Sequence, residues 1–349
     1  MIAKNQFKTI IDLVNQFPTE KSCHHYLVGQ RWGGGYMECP YDDCQGDTPY
    51  VFKDGIRYKC KCCGRIYTAK IGTIFEASKL PLIKWFVAIY LVMHKKGISS
   101  VQLSKDVGVQ QKTAWFMLHR IRKVLGNSED EILEGTVQID ETFVGGKNKN
   151  RHWDKKVKNS QGRSFKDKTP VMGMLQQNVY ELVERPNKVQ AEKTVKERII
   201  VKPSVIKCRV ITNTKGEILQ PIILANVSHE SIIVSDEWKG YNGLSATYEH
   251  QIVDHLHGQY VNQYGYTSNA VEGGWSQFKR SIFGIYHNVS KNHLSKYVDE
   301  FAFKHNNRTF DVEKQINVML TQSECRLKLK DLKNIPNGQY PKRTQNIGC

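Results

Sequence analysis

Two short apolar runs in the second half of the chain each end on an acidic residue. The first passes through Val137 and Ile139 to Asp140, and the second passes through residues 232–234 to Asp236. β-branched side chains suit a pleated, half-buried surface, whereas aspartate is depleted from strands. The pattern therefore predicts two β-strands that each present a carboxylate near their end. For either aspartate alone, a turn or a helix cap is the alternative explanation.

A third acidic residue lies in a segment with helical periodicity. Val271 and Trp275 fall on an apolar stripe of this segment, and Asn269 stands where it can cap the helix. Glu272 and Lys279 share the neighbouring face, two turns apart. A carboxylate and a lysine on one helix face suit a phosphate-bearing ligand. A plain surface position is the alternative for Lys279.

Several further apolar segments precede this helix. Residues 170–176 and 205–212 predict strands, whereas 218–225 fits either a short helix or a further strand. The charged segment 178–203 predicts an insertion or a long hairpin. Strands that precede the first long helix and carry acids at their ends predict an RNase H-like α/β domain over 135–310.

Three helical patterns occupy the stretch before a polar linker at 126–131. They cover 82–94, 101–107 and 110–125, and Gly108 makes a tight turn before the last of them. A short helix, a glycine turn and a basic helix predict a helix-turn-helix that binds DNA. The predicted DNA-binding residues on the outer face of the last helix are Lys112, Arg120, Arg122 and Lys123. A plain three-helix unit with a solvated basic face is the alternative.

Five of the nine cysteines cluster between residues 39 and 63, ahead of these helices. Two turns that each present two thiolates make a tetrahedral four-sulfur site for zinc. The segment between the cysteine pairs carries the favoured hairpin dipeptide Asp54-Gly55. The predicted ligands of one structural zinc ion are Cys39, Cys44, Cys60 and Cys63, with Cys62 left over. Unligated buried cysteines are the alternative.

The charge of the chain indicates the kind of partner. Its 349 residues include 51 lysines and arginines against 34 acidic residues, a formal net charge of +17. Such an excess favours a polyanion, because phosphate contacts release counterions. A basic solvated surface without nucleic acid is the alternative. The longest apolar run, residues 85–93, is too short to span a bilayer, so we expect a cytoplasmic protein, nucleoid-associated when bound to DNA, with no membrane contact.

The order of these motifs resembles that of the ISXO-like insertion-sequence transposases, a DDE-superfamily group with an N-terminal zinc ribbon. The resemblance covers about residues 22–308. Beside the ribbon and the helix-turn-helix it rests on Gly72-Thr73-Ile74-Phe75, Ile139-Asp140-Glu141-Thr142, Ser235-Asp236, Asn269-x-x-Glu272-x-x-Trp275 and Tyr297-x-x-Glu300-Phe301. The long gap between Cys39 and Cys44 and the charged segment 178–203 depart from the family pattern.

The resemblance implies a DNA transposase that binds insertion-sequence ends and catalyses Mg²⁺-dependent strand cleavage and strand transfer. It implies that Asp140, Asp236 and Glu272 hold Mg²⁺ or Mn²⁺, with Lys279 as a further catalytic residue. The implied partner is double-stranded DNA, as transposon ends and as target. A homo-oligomer is expected on that DNA, and no nucleotide cofactor is needed.

Two alternatives stay open beside this implication. Related elements sometimes carry an asparagine in place of the third acid, so Asn269 competes with Glu272, and the downstream Glu300 is a second rival. The chain is alternatively a domesticated regulator that binds DNA through its zinc ribbon and helix-turn-helix but does not cut it. The intact trio of acids argues against that reading.

A chain of this length is expected to form several domains. The boundaries predicted from these motifs describe five segments. They are an N-terminal helical segment over 1–35, the zinc ribbon over 36–78, the helix-turn-helix over 79–126, the catalytic domain over 135–310, and a C-terminal helical extension with a tail over 311–349.

Overall fold

The computed structural model divides the chain into two compact units. It describes residues 7–33, 37–94, 96–126, 131–145, 152–158, 168–186, 194–254, 257 and 260–333. Within those limits, unit 1 comprises Met1–Ser128, Phe283–His287 and Phe310–Cys349, and unit 2 comprises Glu129–Ile282 and Asn288–Thr309. Most of the predicted linker at 126–131 and the end of the predicted C-terminal tail lie outside the described residues. The predicted domain boundaries stay predictions.

The described helices and strands follow one another in a clear order along the chain. They are α1 (Ile10–Gln16), α2 (Glu20–Trp32), β1 (Pro49–Val51), β2 (Arg57–Cys60), β3 (Ile66–Thr68), α3 (Leu82–Met93), α4 (Ser100–Asp106), α5 (Gln111–Leu125), β4 (Thr136–Gly145), β5 (Lys168–Gln176), β6 (Val179–Pro186), β7 (Thr194–Lys202), β8 (Val205–Val210), α6 (Gly216–Leu224), β9 (Ile232–Asp236), β10 (Glu249–Val253), α7 (Asn269–Ser281), α8 (Leu294–Asn306), α9 (Val312–Thr321) and α10 (Leu329–Lys333). A π-helical turn, Ile282–Tyr286, follows α7 directly.

Unit 1 is built around α3, which is apolar on nearly every side. Its buried residues include Trp85, Phe86 and Ile89, and the helix contacts α1, α2, α5 and α9. Phe86 also stands edge-on to Phe17 and Tyr26, which adds aromatic contacts beyond simple area burial. The longest apolar run of the sequence is therefore a buried core helix. No helix among the described residues has both the length and the apolar character to cross a membrane.

The three helices predicted before residue 126 are confirmed as α3, α4 and α5. Ser99 caps α4, because its hydroxyl accepts a hydrogen bond from the Gln102 amide at 3.1 Å. Gly108 has a φ of +61°, a left-handed conformation that glycine adopts without strain, and so turns the chain from α4 into α5. α4 and α5 pack against each other. Their interpretation as a DNA-binding helix-turn-helix stays a prediction.

The prediction of a basic outer face on α5 is wrong for two of its four residues. Lys112 is exposed and Lys123 is half-buried, but Arg120 and Arg122 are buried. The Arg122 guanidinium lies 5.0 Å from the centre of the Tyr286 ring, a cation–π contact. The error has a physical cause, because segments remote in the sequence cover the side of α5 that the helical pattern leaves open.

Arg120 binds three backbone carbonyl oxygens from two such remote segments. Its Nη1 donates to Ile74 at 2.7 Å and to Glu76 at 2.9 Å, and its Nε donates to Leu327 at 3.2 Å. Charged hydrogen bonds of this kind offset the cost of burying a guanidinium. Arg120 therefore connects α5 to the chain before α3 and to the chain after α9.

Unit 2 contains a five-stranded mixed sheet in the order β10-β9-β4-β5-β8. β10, β9 and β4 run parallel, and β5 pairs antiparallel with both β4 and β8. The strands predicted at 170–176 and 205–212 are confirmed as β5 and β8, and residues 218–225 belong mainly to helix α6 rather than to a strand. The mixed α/β class is confirmed, whereas an RNase H-like fold stays a prediction.

Helices cover both faces of this sheet. Val137 and Ile139 of β4 pack in an apolar cluster with residues of α6 such as Leu219. Gln138, between them, accepts a hydrogen bond from the Val271 amide of α7, so successive β4 residues face α6 and α7 in turn. α7 also contacts β5, and α8 contacts β8.

The described parts of the charged segment 178–203 pair as the strands of a long hairpin, the second of the two predicted alternatives. Its strands β6 and β7 pair antiparallel in a two-stranded sheet of their own. Its exposed cross-strand ion pairs, Arg185–Glu197 at 3.3 Å and Glu184–Lys196 at 4.0 Å, contribute little because water screens them.

Arg120→Ala should lower the free energy of unfolding by about 2–4 kcal/mol, because three carbonyl oxygens lose a charged donor. Urea unfolding followed by circular dichroism measures this change. Lys112→Ala, on the exposed side of the same helix, should stay within about 0.5 kcal/mol of the wild type. An Arg120→Ala protein as stable as the wild type would show that these contacts do not hold unit 1 together.

Candidate functional site

Asp140 and Asp236 lie at matching positions of neighbouring strands. Asp236 ends β9 as predicted, but the predicted strand end at Asp140 is wrong, because β4 continues to Gly145. β4 pairs in parallel with β9 as far as Gln138 opposite Val234. Two residues further on, the strands carry Asp140 and Asp236. Because side chains two residues apart point to the same face of a sheet, both carboxylates project on the face covered by α7. Two adjacent carboxylates supply oxygen ligands of the kind that divalent cations such as Mg²⁺ bind.

Glu141, the residue after Asp140, belongs to the opposite face. The Tyr241 hydroxyl donates a hydrogen bond to the Glu141 carboxylate, and Tyr241 is buried in the apolar cluster beside α6. Burial, together with the neighbouring acidic groups, raises the pKa of Tyr241 well above its usual value, so the phenol stays a donor. Of the two adjacent acids in β4, Glu141 is thus engaged on the core side and Asp140 faces α7.

A tight loop after β9 orients Asp236. Its Oδ1 accepts a hydrogen bond from the Trp238 amide at 3.1 Å, and Trp238 Nε1 donates to the Thr214 carbonyl at 2.8 Å. The loop passes so close to Thr214 that a Cβ on Gly240 would lie 2.7 Å from that carbonyl oxygen. A larger residue at this position would push the loop outward, so Gly240 maintains the turn that follows the carboxylate.

Glu272 lies in the first turn of α7. The helix begins at Asn269 and Ser268 is its N-cap residue, so the cap predicted at Asn269 is wrong by one position. The Ser268 hydroxyl donates to Glu272 Oε1 at 2.9 Å, and a carboxylate in a first turn is stabilised by the helix dipole. Lys279 is exposed in the last turn of the same helix. α7 packs against β4 and β5.

The four predicted zinc ligands come together in unit 1, beside the three-stranded sheet β1-β2-β3. The Sγ atoms of Cys39 and Cys63 are 3.8 Å apart, and those of Cys44 and Cys60 are 3.6 Å apart. A tetrahedral zinc ion with bonds of about 2.3 Å separates its sulfur ligands by about 3.8 Å. The cluster therefore fits a structural zinc ion. Cys62 is exposed and outside the cluster.

Hydrogen-bond donors reach two of these four sulfur atoms, whereas burial raises the pKa of the Cys39 thiol. Arg65 Nε donates to Cys63 Sγ at 3.3 Å, and this bond lowers the pKa of that thiol to about 6. The Gly46 amide donates to Cys44 Sγ at 3.4 Å. Such donors favour the thiolate form that binds metal. A Cβ on Gly46 would lie 2.7 Å from Cys60 Sγ, so the cluster requires glycine at this position.

Residues 132–306, which include the three acids, match the family model of the ISXO2-like transposase domain, and this match spans half of the chain. The chain belongs to the ISXO2-like transposase family. Residues 18–65 of the transposase match the transposase zinc-ribbon domain. The transposase is also 28% identical over 304 residues to "Uncharacterized protein in transposable element ISH50" of Halobacterium salinarum, an alignment that covers 83% of this chain and 92% of that protein.

The transposase holds the two rival third ligands in different surroundings. Asn269 is exposed at the first position of α7. Glu300 is only 3% exposed on α8, where the Lys304 ammonium donates to its carboxylate at 2.5 Å. A buried carboxylate that is paired within its own helix is less available to an added cation than the exposed Glu272.

The carboxylate donors of the acidic site fit ions of the magnesium class. Among the residues that the structure describes, only the four cysteines form a group of three or more potential ligands whose ligand atoms all lie within 4.8 Å of one another. The carboxylates of Asp140, Asp236 and Glu272 are thus not gathered around a single point.

The four residues predicted to bind DNA are not brought to one surface of the transposase. Lys112 is exposed at the second position of α5, and Lys123 is half-buried in its last turn. Arg120 and Arg122 lie inside unit 1. Only the lysines of this set are therefore available to a ligand in solution.

Two residues beside the acids were not predicted from the sequence. Gln138 and Tyr241 each make a side-chain bond next to the acidic site. A signal for Gln138 was present, because it is the one polar residue between Val137 and Ile139 in an otherwise apolar run. Tyr241 follows Asp236 by only a few residues but has no pattern that separates it from other core tyrosines.

Gly46→Ala should weaken zinc retention by roughly 10-fold or more, because the added methyl group displaces Cys60 Sγ. Competition with a zinc-binding dye measures the affinity. Gly29→Ala, in helix α2, is the matched control, since a Cβ there meets nothing within 4 Å. Elemental analysis of the wild type should find one zinc per chain. Equal zinc affinity in the two alanine variants would contradict the close approach at Gly46.

Proposed function

We propose that this transposase cleaves DNA at the ends of an insertion sequence and joins the freed ends to target DNA. The observation that carries the proposal is the matching position of Asp140 and Asp236 on adjacent parallel strands, on the face covered by the helix that bears Glu272. Three carboxylates supplied by two strands and a helix are a ligand set suited to phosphoryl transfer. Membership of the family supports the same reaction class.

In this proposal Asp140, Asp236 and Glu272 hold Mg²⁺ or Mn²⁺. When bound, the ions polarise phosphoryl oxygens and activate water and hydroxyl nucleophiles. The protein positions the ligands: the register of β4 and β9 aligns the carboxylates of Asp140 and Asp236, and α7 supplies that of Glu272. The bond from Tyr241 keeps Glu141 on the other face and out of the ligand set.

Lys279 binds a phosphate of the same DNA strand in this proposal. It is exposed on α7, two turns after Glu272, and an ammonium group binds phosphate as a point charge. Strand transfer exchanges one phosphodiester bond for another, so no nucleotide cofactor is required. Joining two ends to one target needs two active sites, and we therefore propose a homo-oligomer on the DNA.

Recognition of the ends belongs, in this proposal, to the zinc ribbon and to α4 and α5 acting as a helix-turn-helix. Four cysteines complete the coordination of a tetrahedral zinc ion, so the ion stabilises the ribbon and leaves no position for water. Lys112 is exposed near the start of α5, the end of a recognition helix that enters the major groove, and in this proposal its ammonium group contacts a phosphate there. A non-cleaving regulator would keep these contacts, but it would have no use for the three acids.

Asp140→Ala, Asp236→Ala and Glu272→Gln should each reduce Mg²⁺-dependent cleavage of end-bearing DNA by roughly 10³-fold or more, because each change removes a ligand. Combining the changes should cause little further loss, since the three ligands act as a unit. Gel analysis of nicked products measures the cleavage. A mobility-shift assay should show nearly unchanged binding of the ends.

Glu249→Gln is the matched control for these variants, since Glu249 is an exposed carboxylate on β10 of the same sheet. It should cleave at the wild-type rate. If Glu272→Gln also does so while Asn269→Ala or Glu300→Gln does not, the third ligand is misassigned and the enzyme class stands. If Asp140→Ala cleaves normally, the acidic site is not the active site.

Lys112→Ala should weaken binding to the ends and reduce the slope of log affinity against log salt concentration by about one, because one phosphate contact is lost. Fluorescence anisotropy at several salt concentrations measures both quantities. Lys314→Ala, an exposed lysine on α9 of the same unit, should change neither. A Lys112→Ala protein with the wild-type slope would show that this end of α5 does not touch phosphate.

A further inference from the structure

Gln138 is a fully buried polar residue in the strand that carries Asp140. Its exposed fraction is 0%, and it precedes Asp140 by two positions, so both side chains lie on the face covered by α7. Burying an amide costs free energy unless its donor and its acceptor are both bonded. A hydrophobic side chain would be buried at this position with a smaller loss of free energy, so we expect the role of the amide to lie in the hydrogen bonds that it makes.

The Gln138 side chain bonds to both sides of the start of α7. Its Nε2 donates to the Thr267 carbonyl, and its Oε1 accepts from the Val271 amide at 2.9 Å. Val271 is the third residue of α7 and carries one of the N–H groups that have no partner within a helix. The N-cap residue Ser268 makes no side-chain cap bond. Gln138 therefore performs the capping role from a neighbouring strand.

A second contact, between β5 and Trp275, also packs α7 against the sheet next to Asp140. Gly173 of β5 pairs directly opposite Asp140. An ideal Cβ on Gly173 would lie 2.5 Å from Cζ2 and 2.8 Å from Cη2 of Trp275. The indole ring thus occupies the space that a side chain at 173 would fill, and it keeps α7 close to the sheet beside Asp140.

We propose that Gln138 is a positioning residue that fixes the start of α7, and with it Glu272, relative to Asp140. Glu272 follows Val271 directly, so the bond from Val271 to Gln138 holds the backbone next to that carboxylate. Without the amide, the start of α7 loses both of its hydrogen bonds to Gln138, and the third ligand loses its fixed position. This inference rests on the proposed role of the three acids as metal ligands.

The test compares Gln138→Leu with Gln176→Leu. Gln176 is also a buried glutamine of this sheet, and its Oε1 accepts from the Glu134 amide at 3.0 Å, but it has no bond to α7. Gln138→Leu should raise the Mg²⁺ concentration for half-maximal cleavage by about 10-fold or more. Mn²⁺ binding by calorimetry should weaken to a similar extent, and hydrogen exchange at the Val271 amide should accelerate. Gln176→Leu should lose comparable thermal stability and keep the wild-type response in all three measurements.

Gln138→Met, which keeps the length of the side chain without its polar atoms, replaces the leucine variant if that protein does not fold. If Gln138→Leu speeds exchange at Val271 but leaves Mg²⁺ and Mn²⁺ dependence unchanged, the amide is only structural and the inference is wrong, while the proposed function stands. Equal weakening of metal binding in Gln176→Leu would also overturn it. If the wild type neither binds Mn²⁺ at the acids nor cleaves DNA, the proposed function fails and the inference with it.

Discussion

The pairing of β4 with a parallel strand on one side and an antiparallel strand on the other determines both the core and the acidic site of unit 2. Its register with β5 is continuous from Val137 to Gly145, so its side chains alternate between the two faces without a bulge. Val137 and Ile139 face α6, and Asp140 faces α7. A slip of one residue would exchange the two sets and bury the carboxylate among apolar side chains. The same hydrogen bonds therefore specify where the core forms and where the acids emerge.

The two faces of this sheet meet different physical demands. On the α6 side, fully buried residues such as Leu219, Ile223 and Met174 each contribute about 1.5–3 kcal/mol through burial. On the α7 side, the Trp275 ring occupies the space that a side chain at Gly173 would fill. Gln138, on the same side, needs two hydrogen bonds to offset the free energy lost on its burial. The α7 side therefore has to meet the geometry around the acids in addition to burying apolar residues such as Val271 and Trp275.

Features with local signals could be predicted from the sequence. The strand that ends on Asp236 and the cysteine pairs at ribbon spacing depend on residues within a few positions of each other. The end of the other strand could not be predicted in this way, because β4 continues past Asp140 to Gly145 through its pairing with β5, which is remote in the sequence. The burial of Arg120 could not be predicted, because its partners at Ile74 and Leu327 are remote in the chain and are backbone carbonyls, which leave no trace in residue type. A basic residue on the open side of an amphipathic helix has the same pattern whether water or a distant segment covers it.

The same limit applies to Gln138, and it shows how such a residue can be recognised. A polar residue between Val137 and Ile139 fits a strand with one solvated face, which would leave the amide in water. The helical pattern that includes Val271 and Trp275 indicates, however, that an amphipathic helix has to cover some face of a sheet. In a sheet covered on both faces, a glutamine within an apolar strand cannot rely on water, so it has to bond to the covering element. In β4 the candidate metal ligand Asp140 follows the glutamine by two residues. The hydrogen bonds of Gln138 therefore fix the position of α7, the helix that covers this face, relative to that ligand.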